Sequence, residues 1–414
     1  MNDLSFSKPA LAEALSVVLP TPAETLLLRA CLYPSDSARR AWQQWQDCKN
    51  DLTDEFLGDN KSVKKLRPLV FNAQNTHGVQ LDKESQTYLR SAYLQEDLRS
   101  KMVRRICRSV LLLFEREGIQ TIVLKGMALA ETVYANPVLR HCHDIDLLLK
   151  HGDVDRAKKL LPSVGFREID QNGQRTGGTC KFEHESGLPV ELHTALFQLP
   201  YYNGSQGKVW ERSRKEMIAD CPATILAPAD NLLHVCCHAF HQSRRESLRW
   251  VSDAWFIMDR NRDLDWEIVL EGAHRSHLNL PFSVTLAYLA EELDAPVPPG
   301  FLNRLFVAAS KSSVMERDLA LFSAHSSRRG SLTNLFRSMK SWRGRADMLR
   351  WLLLPSPGYL YMVEEARPSC PLPVHYICRL LRYVRCIFHN SPHAIRRIRW
   401  RIDRLFLRTN LRTP

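Results

Sequence analysis

No apolar run in this sequence approaches the roughly 18 residues that a membrane-spanning helix needs. No basic stretch precedes an apolar one at the N-terminus, where Asp3 stands, so no secretory signal is expected. Cys-x-x-Cys spacing is absent as well. The 11 cysteines are scattered and odd in number, which argues against a disulfide framework and for reduced thiols. A cytoplasmic location is the expectation, with a basic end that can bring the chain to a membrane periphery. No internal repeat and no long low-complexity segment is present.

What is present is enough apolar sequence for a large core. With 414 residues, 44% hydrophobic and 25% charged, gross disorder is not expected and more than one subdomain is. The net charge of +12 is local: from Arg328 to Pro414 there are 18 Lys and Arg against 4 Asp and Glu, so the remainder is near neutral. The basic character therefore describes one surface and not the whole protein.

The most informative stretch is 120–149. Ile122-Val123-Leu124 reads as a short buried strand that ends at Lys125-Gly126. Met127 to Tyr134 has helical spacing, and Asn136-Pro137 stops it. Asp144-Ile145-Asp146 then opens an apolar strand through Leu149. Along a strand, side chains alternate, so Asp144 and Asp146 are expected on one face. Paired carboxylates repel unless a cation lies between them, which points to a divalent metal. A bland strand-start turn is the alternative. Gly126 between strand and helix lets backbone N–H groups approach an anion, and Lys125 adds positive charge.

Together, Leu124-Lys125-Gly126, Ala128-Leu129, Tyr134, Pro137, Arg140 and Asp144-Ile145-Asp146-Leu147-Leu148 resemble an uncharacterised bacterial nucleotidyltransferase family of the DNA-polymerase-beta-like superfamily. The resemblance runs over roughly residues 20–390. The superfamily usually has Gly-Gly or Gly-Ser where this chain has Lys125-Gly126, and a shorter gap before the Asp-x-Asp. The resemblance implies transfer of a nucleoside monophosphate from an NTP to an unknown acceptor hydroxyl. Asp144, Asp146 and Glu191 would hold Mg²⁺ or Mn²⁺ and carry the chemistry, with Glu191 standing where family members have Asp. Lys125, Gly126 and Arg140 would grip the triphosphate. Leu248 to Asp253 resembles a further family motif, with Arg249 and Asp253 behind the cleft. The alternative is a catalytically silent nucleotide-sensing or scaffold protein of the same fold.

The expected fold is α+β, a small mixed sheet in a mostly helical protein. Residues 1–118 read as helical, with Ala23–Leu32 entered through Thr21-Pro22, Ala38–Cys48, and a long amphipathic Thr87–Glu117 whose stripe includes Leu89, Leu94, Leu98, Ile106, Val110 and Phe114. Residues 119–200 hold the sheet, with strands at 166–169, 179–184 and 190–193. Residues 201–325 read as helices packed on it, and 326–414 as a basic helical segment. His234, His238 and His241 share a helix face, a spacing open to zinc or to plain packing. Arginines at 379, 382 and 385, and more in 395–407, flank apolar stripes. Residues 374–412 fit an anionic membrane or an acidic partner, or simply a packed helix with a solvated face. Nucleic acid fits less well, because no aromatic stacking platform is interleaved.

Overall fold

The computed structural model describes residues 9–48, 61–169, 179–197, 199–240, 248–325, 342–354 and 371–389, with Phe336 and Met339. The helices are α1 (Pro9–Ser16), α2 (Pro22–Leu32), α3 (Ser35–Asp47), α4 (Lys61–His77), α5 (Lys83–Arg116), α6 (Lys125–Thr132), α7 (Val154–Leu160), α8 (Gln206–Arg212), α9 (Pro228–His238), α10 (Leu248–Arg260), α11 (Trp266–Arg275), α12 (Asn279–Glu292), α13 (Phe301–Ser310), α14 (Val314–His325), α15 (Trp342–Leu353) and α16 (Leu372–His389). The strands are β1 (Thr121–Val123), β2 (Ile145–Leu149), β3 (Phe166–Glu168), β4 (Thr179–His184), β5 (Pro189–His193), β6 (Arg214–Ile218) and β7 (Cys221–Ile225). None of the described helices is long and apolar enough to cross a membrane, and the described cysteines are free.

The strands form one mixed seven-stranded sheet in the order β3-β4-β5-β2-β1-β7-β6. The fold is α+β, as expected. The sheet does not stop at residue 200, however. β6 and β7 extend it, and β7 pairs parallel with β1. Their hairpin turns through Ala219 (φ 50°) and Asp220 (φ 60°), the left-handed pair that a two-residue turn of this twist requires. Ala-Asp lacks the glycine that would advertise such a turn, and Pro222 interrupts the strand pattern, so the segment did not read as strand.

One face of the sheet carries the main core. Val103, Ile106, Cys107, Val110 and Phe114 of α5 pack there with Val123, Ile145, Leu147, Leu149, Val190 and Leu192. The predicted α5 stripe is only partly covered in its first half: Leu89 is buried, but Leu94 and Leu98 are exposed. The opposite face holds a smaller cluster of Ile122, Leu124, Leu148, Val209 and Leu226, which leaves room for polar groups on that side. The entry to α2 is a capping box, with Thr21 and Glu24 each bonding the other's backbone N–H. α4, within the region read as helical, runs through Pro68.

The chain divides into two compact units. Met1–Ile169 with Arg175–Asp347 holds the sheet, and Asp170–Gln174 with Met348–Pro414 forms the other. In the second, α16 leaves Val374, Ile377, Leu380 and Leu381 exposed. The connection between the strands expected at 166–169 and 179–184, and the basic stretch at 395–407, lie outside the described residues.

Candidate active site

Register builds the site. In the parallel pairing of β2 with β5, Asp146 is opposite Glu191. In the antiparallel pairing of β4 with β5, Lys181 is opposite Glu191 and Thr179 is opposite His193. On the other flank, Leu124 donates its backbone N–H to the Asp146 carbonyl at 3.0 Å, which brings Lys125 beside β2. A row of charges thus crosses the sheet: Lys181, Glu191, Asp146, Lys125. Lys181 is ion-paired with Glu191, and Lys125 Nζ lies 3.6 Å from Asp146 Oδ2. His193 adds Nε2 at 2.7 Å from Asp146 Oδ1 and 3.7 Å from Glu191 Oε2. One ligand atom from each of Asp146, Glu191 and His193 lies within 4.8 Å of the others, a group able to hold a metal ion.

Asp144 is placed differently from the expectation. β2 begins at Ile145, so Asp144 sits in the bend just before the strand. It is not in the group that Asp146 forms with Glu191 and His193. Its Oδ2 lies 3.2 Å from His143 Nε2, while Arg249 Nη1 lies 3.2 Å from His143 Nδ1. A guanidinium only donates, so Nδ1 accepts and Nε2–H donates to Asp144. Burial, then Arg249, depress the His143 pKa to about 2, so this ring is neutral.

The two aspartates are pushed apart electrostatically. Burial, with Asp146 beside it, raises the Asp144 carboxyl to about 7 against relief from Lys125. Burial acts in the same sense on Asp146, but Lys125 and His193 outweigh it and hold that carboxyl well below the usual range. A folded pKa above the unfolded one means the fold is favoured at low pH and loses that contribution as pH rises towards 7. Asp144→Asn should therefore stabilise the protein near pH 8 by about 1–3 kcal/mol, a figure lowered because part of the side chain reaches solvent, and should change nothing near pH 4. Urea melts at both pH values check this; an equal gain at both would refute the buried-charge account.

Gly126 and Arg140 have packing roles in the structure. A Cβ on Gly126 would meet Cys142 Sγ at 3.2 Å and Arg140 Nη1 at 3.3 Å. The left-handed residue is not this glycine but Lys125, at φ 44°, a strained conformation for a side-chain-bearing residue and one that clusters at functional sites. Arg140 is buried. Its Nε and Nη2 donate to Asp253 at 3.1 and 2.7 Å and its Nη1 to the His141 carbonyl at 2.7 Å. Tyr134 also donates to Asp253 at 2.7 Å. From α5, Glu96 grips the same loop, with Oε2 at 2.7 Å from His141 Nδ1. Arg140, Arg249 and Glu96 together fix residues 140–144 ahead of β2.

A family model described as an uncharacterised nucleotidyltransferase matches residues 62–294, more than half of the chain. The chain belongs to that family. No curated protein and no solved structure matches it.

The span matched to the nucleotidyltransferase family is narrower than 20–390, yet it takes in every strand and the whole charge row. Within this nucleotidyltransferase domain, sequence reasoning missed two parts of the site. Lys181 carries no sequence signal of its own, and His193, two residues on from Glu191 and on the same strand face, reads from sequence as a supporting or structural residue more than a catalytic base. A signal for both existed: the turn at Ser186-Gly187 fixes the β4–β5 register, which places Lys181 and Thr179 opposite Glu191 and His193. His234 is buried in α9, and neither ring nitrogen has a hydrogen-bond partner among the described residues. It joins no metal-ligand group there, and His241 lies outside the described residues.

Proposed function

We propose that this chain is a divalent-cation-dependent nucleotidyltransferase that moves a nucleoside monophosphate from an NTP to an acceptor hydroxyl and releases pyrophosphate. The observation that carries the reading is the meeting of Asp146 and Glu191 across neighbouring strands, beside His193 and the N-terminus of α6. The donor set fits a divalent cation: two carboxylates and an imidazole reach one point from one sheet face. Asp146 and Glu191 would hold Mg²⁺ or Mn²⁺, with Asp144 closing on it from the bend. When bound, the cation supplies charge neutralisation for the triphosphate and a lowered pKa for the acceptor hydroxyl. The N–H groups at the start of α6, which have no partner within the helix, with the Lys125 ammonium, bind phosphate oxygens. Gly126 keeps the loop close enough for that approach. Glu191 either completes the cation site or takes the acceptor proton on its carboxylate. Arg140 is proposed as a positioning residue, because its donors face Asp253 and the His141 carbonyl.

One observation favours a second reading, a silent nucleotide sensor or scaffold. Repelling carboxylates would argue for a cation, but here Lys181, Lys125 and His193 already compensate Glu191 and Asp146. The full chain, incubated with each labelled NTP, Mg²⁺ or Mn²⁺ and fractionated extract, separates the two. Label transfer with pyrophosphate release, lost in Glu191→Gln, is expected. NTP binding with no pyrophosphate from any mixture would leave the sensor reading standing.

The exposed Val374, Ile377, Leu380 and Leu381 on α16, within an arginine-rich segment, support contact of residues 374–412 with an anionic membrane or acidic partner. Truncation after Asn390 removes seven arginines and Asp403. NTP binding should survive, and sedimentation with anionic vesicles at low salt should be lost. Intact protein that ignores such vesicles at low salt would end the membrane proposal.

A further inference from the structure

We infer that the site selects a first-row transition-metal dication over Mg²⁺, and that His193 is the ligand that selects it. This rests on the reading that Asp146 and Glu191 hold a cation. Three features of the site support the choice.

The first is the donor itself. His193 turns Nε2, not Nδ1, to the carboxylates, at 2.7 Å from Asp146 Oδ1 and 3.7 Å from Glu191 Oε2. Mg²⁺ favours oxygen ligands in near-ideal octahedra and gives up water reluctantly. Imidazole nitrogen adds little for it and much for the later first-row ions, whose affinities climb in the Irving–Williams order.

The second is the partner of the other nitrogen. A coordinating Nε2 has to be unprotonated, which puts the proton on Nδ1, where it needs an acceptor. Thr179 Oγ1 stands 3.3 Å from Nδ1. The β4–β5 register holds it there, since Thr179 is the direct partner of His193. Before a cation binds, the same hydroxyl donates to Nδ1 and Nε2–H donates to Asp146. With a cation bound, Nε2 would give up its proton and Nδ1 would take one up, so the ring would stay neutral; Nδ1–H would then donate to Thr179 Oγ1, and the Nε2–H bond to Asp146 would be replaced by coordination.

The third is the local charge. Each carboxylate has an ammonium beside it, Lys181 on Glu191 and Lys125 on Asp146. The row is close to neutral, so simple Coulomb attraction, on which a hard ion such as Mg²⁺ relies, is weak. Affinity has to come from coordinate bonds, and the nitrogen donor provides the most discriminating one.

The test uses the full chain with Mg²⁺, Mn²⁺ and Co²⁺ alone, titrated by calorimetry, and pulsed EPR of the Mn²⁺-loaded protein. Co²⁺ and Mn²⁺ should bind at least about tenfold more tightly than Mg²⁺. The bound Mn²⁺ should show a ¹⁴N coupling of imidazole type. His193→Asn should lose that coupling and most of the Co²⁺ preference while changing Mg²⁺ affinity by less than about threefold. The coupling is read on the unaltered protein, so the inference stays falsifiable even if the variant misfolds. Cation binding without nitrogen coupling, or equal losses for Mg²⁺ and Co²⁺ in His193→Asn, overturns the inference and leaves the nucleotidyltransferase reading intact. Failure of any of the ions to bind, alone or with NTP present, overturns that reading as well.

Discussion

Asp253→Ala should destabilise the protein by about 3–5 kcal/mol, because it strands a buried guanidinium. Asp253 is buried and accepts from Arg140 Nε and Nη2 and from the Tyr134 hydroxyl. Arg140 is itself buried, so water cannot replace the lost carboxylate. Breaking such a pair costs far more than the pair contributes, since its desolvation has already been paid by the fold. Replacing both partners with apolar residues of similar size, Arg140→Met with Asp253→Leu, should recover most of the loss. Against a typical total stability of roughly 5–15 kcal/mol, the single change is a large fraction. Urea unfolding of wild type, both single variants and the double variant measures it. A loss under about 1 kcal/mol for Asp253→Ala would show that the pair is wetter than its burial implies. Because Arg140 also holds the His141 carbonyl, the double variant should fold and still bind NTP less well.

That ion pair marks the limit of what the sequence discloses. Local signals carried well: Thr21-Pro22 announced α2, and the alternation from Thr179 to His184 gave β4 with the bounds observed. Asp144 and Asp146 stood out because paired carboxylates at an apolar strand repel unless a cation lies between them, whereas Glu191 came from the family resemblance. Partners fixed by register or by distant contacts were harder. Asp253 is 113 residues from Arg140, and nothing local links them, so Arg140 read as a phosphate ligand. Asp144 lies one residue before β2, and its charge still couples to those of Asp146, Lys125 and Glu191. The β6–β7 hairpin was hidden by a turn made from Ala219 and Asp220 in place of glycine or asparagine.

Asp146→Asn should have the largest functional effect of any single change. Asp146 lies at the centre of the charge row, with Lys125 at 3.6 Å, His193 at 2.7 Å and Glu191 opposite it in the strand pairing. The amide keeps the shape and removes the charge. Divalent-dependent NTP binding should be lost, and any transfer activity should fall by at least about 10²–10³-fold, the usual cost of one preorganised electrostatic group. The stability change should have the opposite sign to that of Asp144→Asn. Lys125 and His193 hold the Asp146 carboxyl well below its ordinary range, so its charged form stabilises the fold above the unfolded pKa. That contribution disappears as pH falls through the folded one. At neutral pH, Asp146→Asn should therefore cost stability and leave Lys125 without its counter-ion, whereas Asp144→Asn should add stability. Simple like-charge repulsion between the aspartates would make both replacements stabilising. Calorimetric NTP titration with and without divalent ion, beside urea melts of the two variants, reads both effects on the same preparations. If Asp146→Asn binds NTP like wild type, or melts above it at neutral pH, the charge row is not the cation site.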